Sequence, residues 1–319
     1  MNAKGPILLL ITAVLWGSTF AAQTVASAYV DPFTFNFSRN FIGALFLTGI
    51  ICVRNRIGHD QPPVSQGQAQ LGGYTRKTLI VAGVLCGVVL CVSSWLQQSG
   101  ISSYPEDAAA SGRSGFITAI YMVVVAVIGM FTNKKIHPLV LLSVVVAMVG
   151  MYFLCVPNGL GNIYFGDILV LGCAVGYALH IVVIDRYTNV DGVRLSRVQL
   201  LTAGGISLVM AFILEQPNIA GILAAILPIL VAGVLSDGVA YTLQIIAQKT
   251  TDATVAAILM SLESVFAALA GWLFLSEQLG LIELFGCILV FAAVILAQVP
   301  TFMENAQQKR AAAQGAAGE

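Results

Sequence analysis

Charge is what this sequence lacks most. Only 9% of its 319 residues are Asp, Glu, Lys or Arg, while 58% are hydrophobic. A soluble globular domain carries roughly 25% charged residues, so a water-facing surface cannot be assembled from this chain. The net charge is zero, which leaves no basic face for nucleic acid, and none is expected as a partner. A Gly-rich loop ending in Gly-Lys-Ser/Thr is also absent, so ATP hydrolysis is not expected, and neither is any other cofactor chemistry. Cys52, Cys86, Cys91, Cys155, Cys173 and Cys287 lack metal-ligand spacing and read as packing residues.

What the chain does have is long apolar runs. Ten can be drawn, near 6–28, 33–53, 78–101, 107–131, 138–156, 165–187, 196–214, 220–247, 252–275 and 280–299. Each is long enough to cross a hydrocarbon core of about 30 Å at 1.5 Å per helical residue. The expected fold is therefore all-α, an integral membrane protein with a lipid bilayer as its solvent. Residues 54–77, rich in Pro, Gly and Gln, are expected to form a mobile loop. The first 28 residues end in a small-residue string, Ala-Ser-Ala, as a secretory leader does, but the apolar segment is too long for one. It reads as the first span.

Basic residues set the expected orientation. With the N-terminus cytoplasmic, thirteen of the fifteen Lys and Arg fall on inside segments and the outside loops carry none. Those outside loops instead hold Asp31, Glu106, Asp107, Asp167, Glu215, Glu277 and Glu283. The expectation is a multi-pass protein of the cell (inner) membrane with both termini cytoplasmic. Arg39 and Arg113 are the two basic residues left over.

The chain also repeats itself. The stretch GFITAIYMVVVAVIGMF (115–131) lies over AILMSLESVFAALAGWL (257–273) at an offset of 142, and AVLWGSTFAAQTV (13–25) lies over AVGYALHIVVIDR (174–186) at 161, which places Trp16 on Tyr177. Two units of five spans follow: residues 1–156, then 157–300, with 301–319 as a cytoplasmic tail. Because five is odd, the second unit enters the membrane inverted, an arrangement associated with secondary transporters.

The segments 13–46, LQQSGI (96–101), SGRSGFITAIYMV (111–123) and LMSLESVFAALAGWLFLSEQL (259–279) resemble the EamA family of the drug/metabolite transporter superfamily. Their order over ten spans carries the resemblance, which covers nearly the whole chain. It implies a ten-helix basket around a central cavity, alternately open to the two sides, that carries amino acids or other small metabolites, often outward. The sequence departs from the family pattern between Leu96 and Arg113, where a few extra residues include Tyr-Pro-Glu-Asp at 104–107. The start of the fourth helix falls there.

Polar residues at helical spacing mark the expected lining. Asp237, Tyr241, Gln244 and Gln248 form one stripe on the eighth span, and Thr12, Trp16, Thr19 and Gln23 form another on the first. Trp95 with Gln98 on the third span and Tyr177 with His180 on the sixth complete the set. Such stripes turn inward, to a cavity or to a dry polar seam between helices, because lipid satisfies no polar group.

Four charges fall within the spans: Arg39, Arg113, Asp237 and Glu263. Each is worth on the order of 3 kcal/mol against insertion at a helix centre, so all should face the interior. Two readings stay open. Either they form structural ion pairs, or Arg113 or Arg39 binds a substrate carboxylate while Glu263 or Asp237 takes a proton or a substrate ammonium. For Arg39, near the outer end of its span, snorkelling or a structural role is the leading expectation. On a regular helix Arg113 shares a face with Tyr121, eight residues on, offering a carboxylate anchor beside an aromatic ring. His180 reads as a packing residue or a proton relay.

The reading is thus an exporter of a small polar metabolite such as an amino acid, with proton coupling through Glu263 or Asp237. Two rivals stand beside it. One is an intramembrane serine protease of rhomboid type using Ser114 and His180; the other is a non-transporting receptor or scaffold. Gly83 with Gly87, and Gly172 with Gly176, serve either a dimer or internal helix packing, so the sequence leaves the oligomeric state open.

Overall fold

A computed structural model describes residues 4–58, 73–105, 110–132, 136–156, 163–274 and 280–316. Most of the expected 54–77 loop, together with Glu106, Asp107, Lys134, Lys135 and Glu277, lies outside them. Among the described residues, nine helices are long and apolar enough to cross a membrane, and Pro138–Leu154 is a shorter apolar one.

The spans are Lys4–Ala26, Pro32–Arg56, Arg76–Ser102, a fourth made of Ala110–Ala119 and Tyr121–Phe131, then Pro138–Cys155, Phe165–Arg186 and Gly192–Leu214. The eighth is composite, running through Ile219–Ala224, Ile226–Val231, a π-helical segment Ala232–Ala240, and Tyr241–Ala247. The ninth is Ala253–Met260 followed by Glu263–Phe274, and the tenth lies within Leu281–Ala316. Their starts follow local chemistry. Asp191 accepts a hydrogen bond from Arg194 N, Thr75 from Thr78 N and Asp252 from Thr254 N, each satisfying a donor that the first helical turn leaves free. Pro32 and Pro138 open their helices where a missing N–H does no harm. The last helix runs on through Pro300 to Ala316, so the expected tail is largely helical.

Span contacts obey an internal two-fold. The third span packs on the sixth and seventh, and the eighth correspondingly packs on the first and second. The first touches the ninth as the sixth touches the fourth, while the pairs 2–7, 4–9 and 5–10 are each their own counterpart. Two inverted five-span units therefore enclose one another. The fourth and ninth spans, which meet at the axis, are both interrupted, and at equivalent places. Ile120 N bonds Ile117 O and Leu262 N bonds Leu259 O, tight i→i+3 turns that pinch each helix at positions related by the 142-residue offset.

Glycines let the spans approach closely. A Cβ at Gly17 would lie 2.5 Å from the Glu263 carbonyl oxygen, and one at Gly43 would lie 2.8 Å from the Gly233 carbonyl oxygen. The Gly83, Gly87 and Gly176 positions press on Val198, Gln199 with Thr202, and Ser93, respectively. These glycine pairs are thus used in packing between spans of the same chain. Leu45, Phe131, Phe212, Ile213 and Leu227 stand among the exposed apolar residues of the outer wall, as a lipid-facing surface requires.

Candidate functional site

At the two-fold axis the spans part around a cavity holding about 490 Å³ of space free of protein atoms, the open solvent at its mouth included. Trp16, Thr19, Phe20 and Gln23 line it from the first span, Arg39 from the second, Gln97 from the third, and Thr118 and Tyr121 from the fourth. Tyr177, His180 and Ile181 come from the sixth span, Ser236, Tyr241 and Gln244 from the eighth, and Met260 and Glu263 from the ninth.

Much of this lining consists of repeat partners. The 161-residue offset relates Trp16 to Tyr177, Thr19 to His180 and Phe20 to Ile181, while the 142-residue offset relates Thr118 to Met260 and Tyr121 to Glu263. Both helix breaks therefore place their next residue in the cavity. Tyr121 and Glu263 thus border the same cavity.

Aromatic rings and hydrogen bonds hold the wall in place. Trp16 meets Tyr241 edge-on with centroids 5.1 Å apart, and His180 meets the same ring at 5.7 Å. Tyr177 Oη donates to Gln97 Oε1 at 3.1 Å, and Gln97 Nε2 donates to Thr118 Oγ1 at 3.4 Å. Four polar atoms on lining residues, Trp16 Nε1, Arg39 Nε, Tyr121 Oη and Gln244 Oε1, make no hydrogen bond within the protein. Buried polar groups are nearly always partnered, so unspent donors and acceptors around an open volume are what a polar ligand would use.

Of the residues singled out in the sequence, Trp16, Thr19, Gln23, Arg39, Tyr121, Tyr177, His180, Tyr241, Gln244 and Glu263 reach this cavity. The others are placed elsewhere. Trp95 stacks on Phe33 with centroids 5.3 Å apart, and Gln98 Nε2 donates to the Gln23 carbonyl oxygen at 3.3 Å. Gln248 Nε2 donates to the Ile181 carbonyl oxygen at 3.1 Å. Asp237 stands beside the lining residue Ser236, its Oδ2 3.6 Å from Arg39 Nε. The eighth span is a π-helix there, which breaks the regular α spacing on which the 237–241–244–248 stripe was drawn.

Arg113 does not border the cavity. Its Nε and Nη2 donate to Asp167 Oδ1 and Oδ2 at 2.5 and 2.6 Å, and its guanidinium lies 4.8 Å from the Tyr164 ring centroid. Tyr104 Oη and Tyr164 N donate to the same carboxylate at 2.8 and 2.9 Å. Burial, followed by the Asp167 carboxylate, pushes the Tyr104 phenol above its ordinary range, so it stays a donor at neutral pH. Asp167, expected in an outside loop, instead sits in the first turn of the sixth span and ties it to the fourth. With a turn at Ile120 between them, Arg113 and Tyr121 serve different surroundings.

The protease arrangement is not formed. His180 Nε2 lies 3.1 Å from Gln199 Oε1, while the buried Ser114 hydroxyl makes no hydrogen bond, so there is no Ser–His dyad.

Gln97, Thr118, Ser236 and Met260 escaped the sequence reading. The repeat offset held the signal for two of them, since Thr118 falls on Met260. Gln97 and Gln98 are adjacent in the sequence, and only packing chose between them.

The EamA-like transporter family model matches residues 3–156 and 164–298, one match for each five-span unit. The chain belongs to the EamA-like transporter family. An uncharacterized transporter of Archaeoglobus fulgidus is 29% identical over 296 residues, covering 90% of this chain and 83% of that protein. The uncharacterized transporter YoaV of Bacillus subtilis is 23% identical over 294 residues, covering 90% of this chain and 94% of its own. A solved crystal structure shares the fold with a TM-score of 0.73 at 16% identity, covering 94% of this chain and 98% of that one. This EamA-like chain is a multi-pass membrane transporter.

Proposed function

We propose that the protein exports a small polar metabolite such as an amino acid by alternating access, in the cell (inner) membrane with both termini cytoplasmic. The moving bodies are the two inverted units, 1–156 and 157–300. The observation that carries this reading is the cavity at the crossing of the two broken spans, bordered by both Arg39 and Glu263. Those are opposite charges on opposite units, suited to the two ends of a zwitterion. Arg39 offers a planar fork for a carboxylate, and Glu263 receives an ammonium or exchanges a proton. Trp16, Tyr121, Tyr177 and Tyr241 flank the body of the ligand. The pair Arg113–Asp167 then ties the fourth span to the sixth and does not bind substrate.

Purified protein screened against a metabolite library provides the test, because a ligand that binds only the folded state raises the melting temperature. Hits are then assayed for counterflow in proteoliposomes. The expected outcome is an amino acid or similar zwitterion that both stabilises and exchanges. A library with no stabilising member and no counterflow would sink the reading.

A further inference from the structure

Three arginine–aspartate pairs join spans among the described residues, and they are not alike. Arg113–Asp167 and Arg54–Asp191 each consist of two hydrogen bonds, at 2.5 and 2.6 Å and at 3.2 and 3.0 Å. Arg39–Asp237 is the most deeply buried, with side chains 3% and 0% exposed, yet it is held at 3.6 Å with no hydrogen bond. Arg39 Nε and both Asp237 carboxylate oxygens are without a partner. The backbone enforces the apposition. A Cβ at Gly43 would lie 2.9 Å from Asp237 Cβ and one at Gly233 would lie 2.8 Å from the Arg39 carbonyl oxygen, so the two spans cross closely here. Arg39 borders the cavity and Asp237 stands behind it.

An ion pair without a hydrogen bond compensates charge but leaves Arg39 Nε, a directional donor, uncommitted. We propose that a substrate carboxylate entering the cavity takes Arg39 from Asp237, and that Asp237 then binds a proton, so one proton moves with each carboxylate. This rests on the reading of the cavity as a site for a carboxylate-bearing metabolite. Before binding, the site holds one guanidinium and one carboxylate. Afterwards the guanidinium is bonded to the substrate carboxylate, Asp237 is a neutral acid, and the proton has come from water through the cavity. The net charge buried in the membrane is unchanged, which avoids leaving an unpaired carboxylate in low dielectric.

Asp237 has few other groups to share that charge. Arg39 faces it from the second span, and Tyr241 and Ser236 flank it on its own span. The first span brings Thr12, whose hydroxyl is bonded to the Leu8 and Ala240 carbonyl oxygens. No ionisable group of the seventh span acts on it among the described residues. Tyr177, from the sixth span, faces Arg39. Linkage is reciprocal, so protons tighten carboxylate binding by the same factor that the carboxylate tightens proton binding. The direction of net movement follows the sum of the two gradients, and a cell holding an excess of the metabolite exports it.

Titration calorimetry of the purified chain with phenylacetate, in buffers of different ionisation enthalpy, reads the proton count. Phenylacetamide serves as the neutral control. The expected result is uptake of about one proton per phenylacetate and an affinity falling about tenfold per pH unit once Asp237 must be protonated on binding. Asp237→Asn should bind phenylacetate with no uptake. Should Asp237→Asn fail to fold, the infrared difference spectrum of the wild type decides, since a new carboxylic-acid carbonyl band must appear on binding phenylacetate and not phenylacetamide. Phenylacetate binding without proton uptake, uptake persisting in Asp237→Asn, or no new carbonyl band overturns this proposal and leaves the transport reading standing. No phenylacetate binding at any pH overturns the carboxylate reading of the cavity and this proposal with it, whereas proton-linked binding without counterflow supports the proposal and removes transport.

Discussion

Tyr121 and Glu263 are the same position of two inverted units, brought face to face. Each follows a pinched turn in its span, each is buried, and each lines the cavity from its own side of the two-fold. A tyrosine hydroxyl on one side and a carboxyl on the other make this the point where the internal symmetry is chemically broken.

That asymmetry predicts the effect of Glu263→Gln. Gln keeps the volume and the hydrogen-bonding reach but cannot exchange a proton. Folded Glu263→Gln should retain counterflow while losing whatever part of the pH dependence of flux this carboxyl carries, and Tyr121→Phe should shift that dependence without abolishing it. Flux measured over pH in proteoliposomes checks this. A pH profile unchanged in both variants would exclude Glu263 as a proton carrier.

Arg113 should matter for stability before it matters for substrate. Arg113→Ala strands the Asp167 carboxylate, which keeps Tyr104 and Tyr164 N as donors but loses both guanidinium bonds, a loss of roughly 1–3 kcal/mol. Removing Asp167 as well should recover part of that deficit, with a coupling of about 0.5–3 kcal/mol in a double-mutant cycle. Thermal unfolding in detergent reads both numbers. Additive losses would mean that the pair is not a unit, and a selective loss of affinity for carboxylate substrates would move Arg113 into the binding site.

Gly17 tests the crossing of the first and ninth spans. Any Cβ there meets backbone, the Glu263 carbonyl oxygen at 2.5 Å and Ala267 N at 2.8 Å, so a small rotamer change cannot relieve it. Gly17→Ala should cost about 1–3 kcal/mol as overpacking does elsewhere, whereas Gly49→Ala, with nothing within 4 Å of its Cβ, should be neutral. Equal melting temperatures for the two variants would contradict the packing described.

Topology can be checked on whole cells carrying single cysteines on a background without native ones. An impermeant maleimide should label position 103, beyond the third span, and spare position 65. The reverse pattern would invert the protein in its membrane.

Composition and hydropathy determined a great deal here. That the chain is helical and spans a membrane, that it holds two five-span units, and that the second is inverted all follow from long apolar runs, an internal repeat and an odd span count. Most of the cavity was legible too, because inward-facing polar residues recur at helical spacing, as Trp16, Gln23, Tyr177 and Gln244 do. Tertiary structure decided what spacing cannot express. Gln97 rather than Gln98 faces the cavity because adjacent helical residues differ by about 100° in direction, a difference that packing resolves. Arg113 finds Asp167, a residue the sequence assigned to a loop, because helix starts are the least certain boundaries. Asp237 sits behind Arg39 because a π-helical turn breaks the α period, and no hydrophobic pattern in the sequence announces a π turn. Periodicity determines which face of a helix is polar; only contacts between spans far apart in the chain decide which charge meets which.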